Sequence, residues 1–398
     1  MEEVSKRIQN LSESQTIAMA QRSRELKAEG KDIISLSLGE PDFNTPDFIK
    51  EAAKKAIDEN YTKYTPVPGY LELREAISKK FKRDNGLDYK ADQIVVSTGA
   101  KQSLANVVLS LVNPGDEVII PSPYWVSYLE LVKLAEGIPV IVESGIEQDF
   151  KINAEQLKRA ITPRTKLMIF SSPCNPSGSI FSKAELKELA NVIAAKEDFY
   201  VISDEIYEHI NFVGKHESIA QFDNIYNQVI TVNGVSKGFS MTGWRLGYIG
   251  APKWIADACS KIQGQFTSGT SSITQRAVIT ALEAAPSVTN EMNKAFKERR
   301  DLVLKMLNEI PGIETNEPEG AFYVFPNISS YFGKQTTSGE TIKDATDFSM
   351  YLLNEAQVAV VTGEAFGNPN CIRLSYATSN DQLIKAINRI ADALQQLK

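Results

Sequence analysis

One lysine stands where an amine can become a nucleophile. Lys237 follows the short apolar run Val229–Val232 and sits within Gly234-Val235-Ser236-Lys237-Gly238-Phe239-Ser240-Met241-Thr242-Gly243-Trp244-Arg245-Leu246-Gly247. A lysine behind a buried strand loses solvation, and cationic neighbours depress its pKa further. Its neutral amine can then attack an aldehyde and form a Schiff base. Arg245, eight residues on, carries a planar fork that suits a phosphate. Taken alone, each would be read as a solvated surface cation; the whole string is far more specific.

Other reactive side chains cluster after strand-like runs. Gly99-Ala100-Lys101 opens a helical pattern, where free backbone N–H groups and the helix dipole attract an anion. A plain strand–helix turn with Gly99 at a special φ explains the same residues. Lys101 is a cation at a helix N-terminus, which is electrostatically unfavourable and asks for a purpose. Trp125 offers a flat face, for a cofactor ring or for a core or interface. Asn175 lies in Pro173-Cys174-Asn175-Pro176, a stiff extended loop. Asp204 and Tyr207, in Ser203-Asp204-Glu205-Ile206-Tyr207, supply a carboxylate and a phenol; Asp204 would equally cap a helix beginning at Glu205. Arg373 interrupts the apolar run Ile372-Arg373-Leu374-Ser375 and needs either a partner or a wet sheet edge.

These residues need a scaffold. From about residue 92 to 250, short β-rich runs alternate with helix-length amphipathic stretches. The runs are Ile94–Ser97, Glu117–Ile120, Pro139–Val142, Leu167–Ser171, Phe199–Ser203, Val229–Val232 and Gly247–Gly250, with helices such as Lys183–Lys196 between them. The rhythm predicts an α/β domain with a mostly parallel, buried sheet. Ligands bind such sheets at the carboxyl ends of the strands, and those ends carry the residues above. Past residue 284 the pattern becomes a charged helix (Ser287 to about Asn308), strands Ala321–Phe325, Val358–Val361 and Cys371–Ser375, and a helix from about Asp381. That predicts a smaller α+β domain. The expected division is a large domain over 46–283 and a small one formed by 1–45 with 284–398.

Bulk properties narrow the function. The chain has 398 residues, 42% hydrophobic and 23% charged, enough for a sizeable core. A net charge of −7 argues against a nucleic-acid or membrane-surface binder. No apolar run is long enough to span a bilayer, and the start has no signal-peptide core. Cys174, Cys259 and Cys371 are too scattered for a disulfide framework or a zinc pattern, which favours a cytoplasmic location. Histidine occurs only at 209 and 216, so no His-rich metal site is expected, no metal is assigned, and another residue should carry the proton.

The string around Lys237 resembles the cofactor-attachment signature of class I aminotransferases, enzymes dependent on pyridoxal 5′-phosphate (PLP), and the resemblance runs along nearly the whole chain. It implies the PLP-dependent transferase fold (fold type I), with Lys237 joined to PLP as a Schiff base. It further implies that Gly99, Ala100, Lys101, Arg245 and Tyr64 serve the cofactor phosphate, Tyr64 reaching that of a neighbouring subunit in a homodimer with shared active sites. Trp125 would stack on the ring, Asn175 and Tyr207 would bond its 3′-oxygen, and Asp204 would pair with its nitrogen. Arg373 and Gly39, in Leu38-Gly39-Glu40-Pro41-Asp42-Phe43, would hold the substrate α-carboxylate. One departure is Gly234: many relatives have a serine there, three residues before the lysine, whose hydroxyl joins the phosphate cup.

The implied reaction moves an amino group between amino acids and 2-oxo acids, with Lys237 carrying a proton from Cα to the cofactor and ping-pong kinetics. Lys101 and Thr16 match the pair that a bacterial aspartate aminotransferase subgroup uses for a distal carboxylate, pointing to aspartate and 2-oxoglutarate. Aromatic or prephenate aminotransferases and PLP β-lyases share the motifs. A PLP-binding regulatory domain would be expected to bring a basic DNA-binding module, and none is visible. A nucleotide-dependent dehydrogenase lacks its glycine motif.

Overall fold

The apolar runs between residues 94 and 250 are strands, buried on both sides except at the sheet edge, where Ile138–Glu143 is partly exposed. The computed structural model describes residues 4–398. In chain order its strands are β1 (Ile34–Ser35), β2 (Ile94–Ser97), β3 (Glu117–Ser122), β4 (Ile138–Glu143), β5 (Thr165–Ser171), β6 (Tyr200–Asp204), β7 (Val229–Gly234), β8 (Gly247–Gly250), β9 (Tyr323–Val324), β10 (Val358–Ala359), β11 (Val361–Thr362) and β12 (Ile372–Ser375). Side chains alternate across a strand, so one apolar run feeds two cores. Ile94, Val96, Met168, Phe170 and Val201 pack on one face; Val95, Leu167, Ile169 and Ile202 pack on the other.

The large sheet has the order β2-β8-β7-β6-β5-β3-β4. Pairings from β7 to β4 are parallel, whereas β8 runs antiparallel to both β2 and β7. This is the mostly parallel sheet that the sequence predicts, and the reversed strand matters for the site. Because β8 enters the sheet where its neighbours leave it, Arg245, just ahead of β8, reaches the same edge as the carboxyl ends of β2, β5, β6 and β7.

Helices cover the faces. The one at Lys183–Ile193 starts where Ser182 and Glu185 cap each other: Ser182 Oγ accepts from Glu185 N, and Glu185 Oε2 accepts from Ser182 N at 2.7 Å. It stops three residues short of the expected Lys196.

A third core lies between the helices Asn290–Leu307 and Asn380–Leu394. Leu383, Ala386, Ile387, Ile390 and Leu394 recur at helical spacing and pack with Phe296, Val303 and Leu307. The N-terminal segment joins this part through the parallel pair β1–β10.

Three expected elements differ. Val358–Val361 is two strands, because the chain changes partners at Val360: β10 pairs with β1, and β11 pairs with β12. The expected strand Ala321–Phe325 shrinks to β9, since Ala321 has φ 57°, a left-handed conformation that breaks the pleat. The helix expected from Ser287 begins at Asn290, after a 3-10 turn over Pro286–Thr289. Among the described residues no helix is long and apolar enough to cross a membrane.

Candidate active site

Loops from the carboxyl edge of the sheet, the N-terminal segment and β12 enclose a cavity of about 360 Å³. Its walls include Lys237, Asp204, Tyr207, Asn175, Arg373 and Trp125. Thr16, Gly39, Ala100, Lys101 and Arg245 also line it, so widely separated sequence candidates meet in one place.

Lys237 Nζ donates to the Gly39 carbonyl at 2.5 Å. Burial lowers its pKa to about 8; Arg373 and Arg245 push the same way, while Glu40 and Asp204 oppose them. An amine so poised is a competent nucleophile and base near neutral pH.

Asp204 is buried, and burial raises its carboxyl to about 6 despite donations from Tyr128 and the Ile206 N–H. Tyr128 Oη donates to Asp204 Oδ2 at 2.7 Å, and Ile206 N to Oδ1 at 3.3 Å. No helix starts at Glu205, which excludes a helix-capping role for Asp204. Tyr207 Oη pairs with Tyr323 Oη at 2.7 Å.

Arg373 is 1% exposed. Nη1 donates to Asn175 Oδ1 at 2.9 Å and Nη2 to the Ser37 carbonyl at 2.6 Å, while Nε has no partner. Its guanidinium lies 4.5 Å from the Tyr323 ring centre and 4.8 Å from that of Phe366. Among the described residues no carboxylate pairs with it. A buried cation without a counter-ion is costly, and a carboxylate ligand would answer it. Asp204 is the complementary case, a buried carboxylate that makes no ion pair among the described residues.

Lys101 Nζ stands 4.9 Å from the Trp125 ring centre. Desolvation, then Arg245, lowers its pKa. Gly99, at φ 88°, precedes the helix Ala100–Leu111, and a Cβ on it would strike the Arg245 guanidinium. Arg245 itself is left-handed, at φ 55°, a strain that pre-sets its side chain over the helix start.

Two candidates, Gly99 and Tyr64, are not among the residues that line the cavity. Tyr64 is 101% exposed. At Gly234 a Cβ would meet the Leu246 carbonyl oxygen at 2.9 Å and Ile206 Cδ1 at 3.1 Å. Replacing it by serine therefore requires the neighbouring backbone to move.

Both histidines belong to a buried charge network behind the Asp204–Tyr207 turn. His216 Nε2 pairs with Glu205 Oε2 at 2.9 Å, and Ser203 and Ser218 donate to Glu205 Oε1. Glu208 is met by Lys80, by His209 at 3.2 Å and by Asn85. Asp204 and Tyr207 thus face the cavity from a turn whose alternate carboxylates are anchored behind it.

Tyr128 and Tyr323 are site residues that the sequence reading missed. Tyr128 sits one helical turn past Trp125, and Tyr323 lies within an aromatic β-rich run. Both patterns look like ordinary core.

The residues fit PLP: a buried lysine of lowered pKa for its aldehyde, a buried carboxylate for its ring nitrogen, and a helix start with an arginine for its phosphate. This fold and this site define a PLP-dependent aminotransferase. The chain belongs to the family described as aminotransferase class I and II, whose profile matches residues 31–390. It is 46% identical over 399 residues to the bifunctional aspartate aminotransferase and glutamate/aspartate-prephenate aminotransferase of Petunia hybrida, covering 99% of this chain and 83% of that one. It superposes on the crystal structure of the aspartate aminotransferase from Rhizobium meliloti with a TM-score of 0.97, at 44% identity and full coverage of both chains. The aspartate aminotransferase from Thermus thermophilus with maleate gives a TM-score of 0.92 at 41% identity, with 99% of this chain and 100% of that one covered.

Proposed function

We propose that this enzyme transfers the amino group of aspartate to 2-oxoglutarate, giving oxaloacetate and glutamate. The observation that carries the reading is the pair of cations at two parts of one cavity: buried Arg373, with no carboxylate partner among the described residues, and, on another element, Lys101, with Thr16 also on the cavity wall. A dicarboxylic substrate satisfies both. Relatives named as aspartate aminotransferases support the same reading. Prephenate is a second candidate, because it also carries two carboxylates and the Petunia relative's name includes it.

Bound PLP supplies an electron sink that lets the Cα proton of the amino acid leave. The chain does the rest. Lys237 would hold the cofactor through Nζ, and the same amine, when free, would take the Cα proton. Asp204 keeps the ring nitrogen protonated. Tyr207 and Asn175 would bond the ring 3′-oxygen, Trp125 would lie against the ring, and Gly99, Ala100, Lys101 and Arg245 would hold the phosphate. Arg373 and Gly39 take the α-carboxylate; Lys101 and Thr16 take the distal one.

The active unit in this reading is a cytoplasmic homodimer with shared sites. Tyr64 projects fully into solvent, and Phe266, 67% exposed, ends the helix Lys253–Phe266, whose Gln263 bonds the Val67 carbonyl at 2.8 Å. A second copy would cover this face and bring its Tyr64 to the phosphate. The division into 46–283 and 1–45 with 284–398 is part of the same proposal: Ile34 and Leu36 pack with residues past 284, in a core that also takes in Ile206, Tyr207 and Ile210 from the large part.

Borohydride reduction and peptide mass mapping should place a pyridoxyl group on Lys237. Lys237→Ala should abolish turnover of aspartate with 2-oxoglutarate. A pyridoxyl mass elsewhere, or turnover retained without added amines, would reject the proposal.

A further inference from the structure

Tyr323 touches three parts of the site at once. Its hydroxyl lies 2.7 Å from Tyr207 Oη, its ring lies beneath the Arg373 guanidinium at 4.5 Å, and the Gly39 backbone passes so close that a Cβ there would sit 2.6 Å from the hydroxyl. The residue is fully buried. Two facing phenols share one hydrogen bond between them, so only one can be the donor.

We propose that Tyr323 is a positioning residue that donates to the Tyr207 oxygen, leaving the Tyr207 proton free to point into the cavity at the cofactor. The inference rests on the PLP reading of the site. The donor is set by the surroundings. The groups facing the pair are Arg373, Glu40, Lys237 and Asp204. Arg373 lies against the Tyr323 ring and favours its more acidic proton. Burial raises both phenols and Arg373 opposes it at both, with its guanidinium 4.5 Å from the ring centre of Tyr323. A hydroxyl that accepts one hydrogen bond becomes a stronger donor in the next. Tyr323 therefore strengthens the bond by which Tyr207 stabilises the anionic 3′-oxygen, and its ring fixes the plane of Arg373.

The test uses the PLP-loaded enzyme and reads the pH titration of its visible absorbance. Tyr323→Phe keeps the ring and loses the hydroxyl. Its titration midpoint should rise by about half a unit, because the anionic form loses support. Binding of succinate, an unreactive dicarboxylate, should stay within about twofold. Tyr323→Leu loses the ring too and should weaken succinate about tenfold, with the same midpoint rise. In a Tyr207→Phe background, Tyr323→Phe should add no further shift. An unchanged midpoint in Tyr323→Phe, or a full shift persisting without the Tyr207 hydroxyl, would overturn the proposal. Failure of the PLP reading is separately visible, since wild-type protein would then show no cofactor on Lys237 after borohydride mapping.

Discussion

The Tyr128 hydroxyl donates a 2.7 Å hydrogen bond to Asp204 Oδ2, the carboxylate that faces the cofactor nitrogen in the proposed assignment. A neutral donor offsets part of the burial that raises this carboxyl to about 6. Tyr128→Phe should therefore push the Asp204 pKa higher still and leave less carboxylate at neutral pH. The expected result is a roughly tenfold fall in kcat at pH 7, with the acid limb of the pH–rate profile moved upward and partial recovery at higher pH. A uniform loss across pH would contradict it.

Asp204 also makes a stability prediction. Its folded-state pKa, about 6, lies above the ordinary 3.8. A carboxyl raised on folding favours the native state below its unfolded pKa, and that contribution is lost as pH rises through the folded value. The window runs from about pH 4 to about pH 6, and the full cost is of order 3 kcal/mol. Asp204→Asn should thus stabilise cofactor-free protein at pH 8 while impairing turnover at least a hundredfold. Urea denaturation of the apo-protein at pH 4 and pH 8 checks it: the gain over wild type should appear at the higher pH alone.

Much of the site was legible because its members sit in short local strings. Lys237 with Arg245, and Asp204 with Tyr207, are each a few residues apart on one loop. Most of the large sheet's strands were legible because burial on both faces leaves near-continuous apolar runs. Strand direction was not, since an apolar run reads the same either way; only the pairing of β8 shows why Arg245 arrives at the correct edge. The split at Val360 was hidden for a related reason, because a change of partner leaves no mark on hydrophobicity. Tyr128 and Tyr323 were invisible for another: an aromatic at helical or strand spacing is ordinarily core, and only the 2.7 Å contacts to Asp204 and Tyr207 separate them from it.

Lys237 offers a paired test with opposite signs. Burial is the largest cause of its pKa near 8; Glu40 raises that value and Arg373 lowers it. The neutral amine is the form that attacks the PLP aldehyde. Glu40→Gln should move the pH dependence of PLP uptake by apo-protein downward, and Arg373→Gln should move it upward, each by a few tenths of a unit or about one at most. Stopped-flow absorbance across pH 6 to 10 measures both. Shifts of the same sign would show that fields from these two side chains do not set the amine's proton affinity.

Lys101 carries the choice of substrate. Its ammonium stands 4.9 Å from the Trp125 ring centre on a residue that keeps an exposed surface, and partial desolvation, then Arg245, lowers its pKa. A distal carboxylate would relieve that cost, whereas a phenyl side chain gains nothing from it. A charge-assisted bond in such a setting is worth about 1.5–3 kcal/mol, or roughly 10- to 150-fold in binding. Lys101→Ala should raise KM for aspartate and for 2-oxoglutarate by that order while changing kcat/KM for phenylalanine less than about threefold. Parallel losses on aspartate and phenylalanine would place Lys101 with the phosphate alone, and the distal carboxylate would then need another partner, for which Thr16, on the cavity wall from the N-terminal helix Gln15–Ala28, is a candidate.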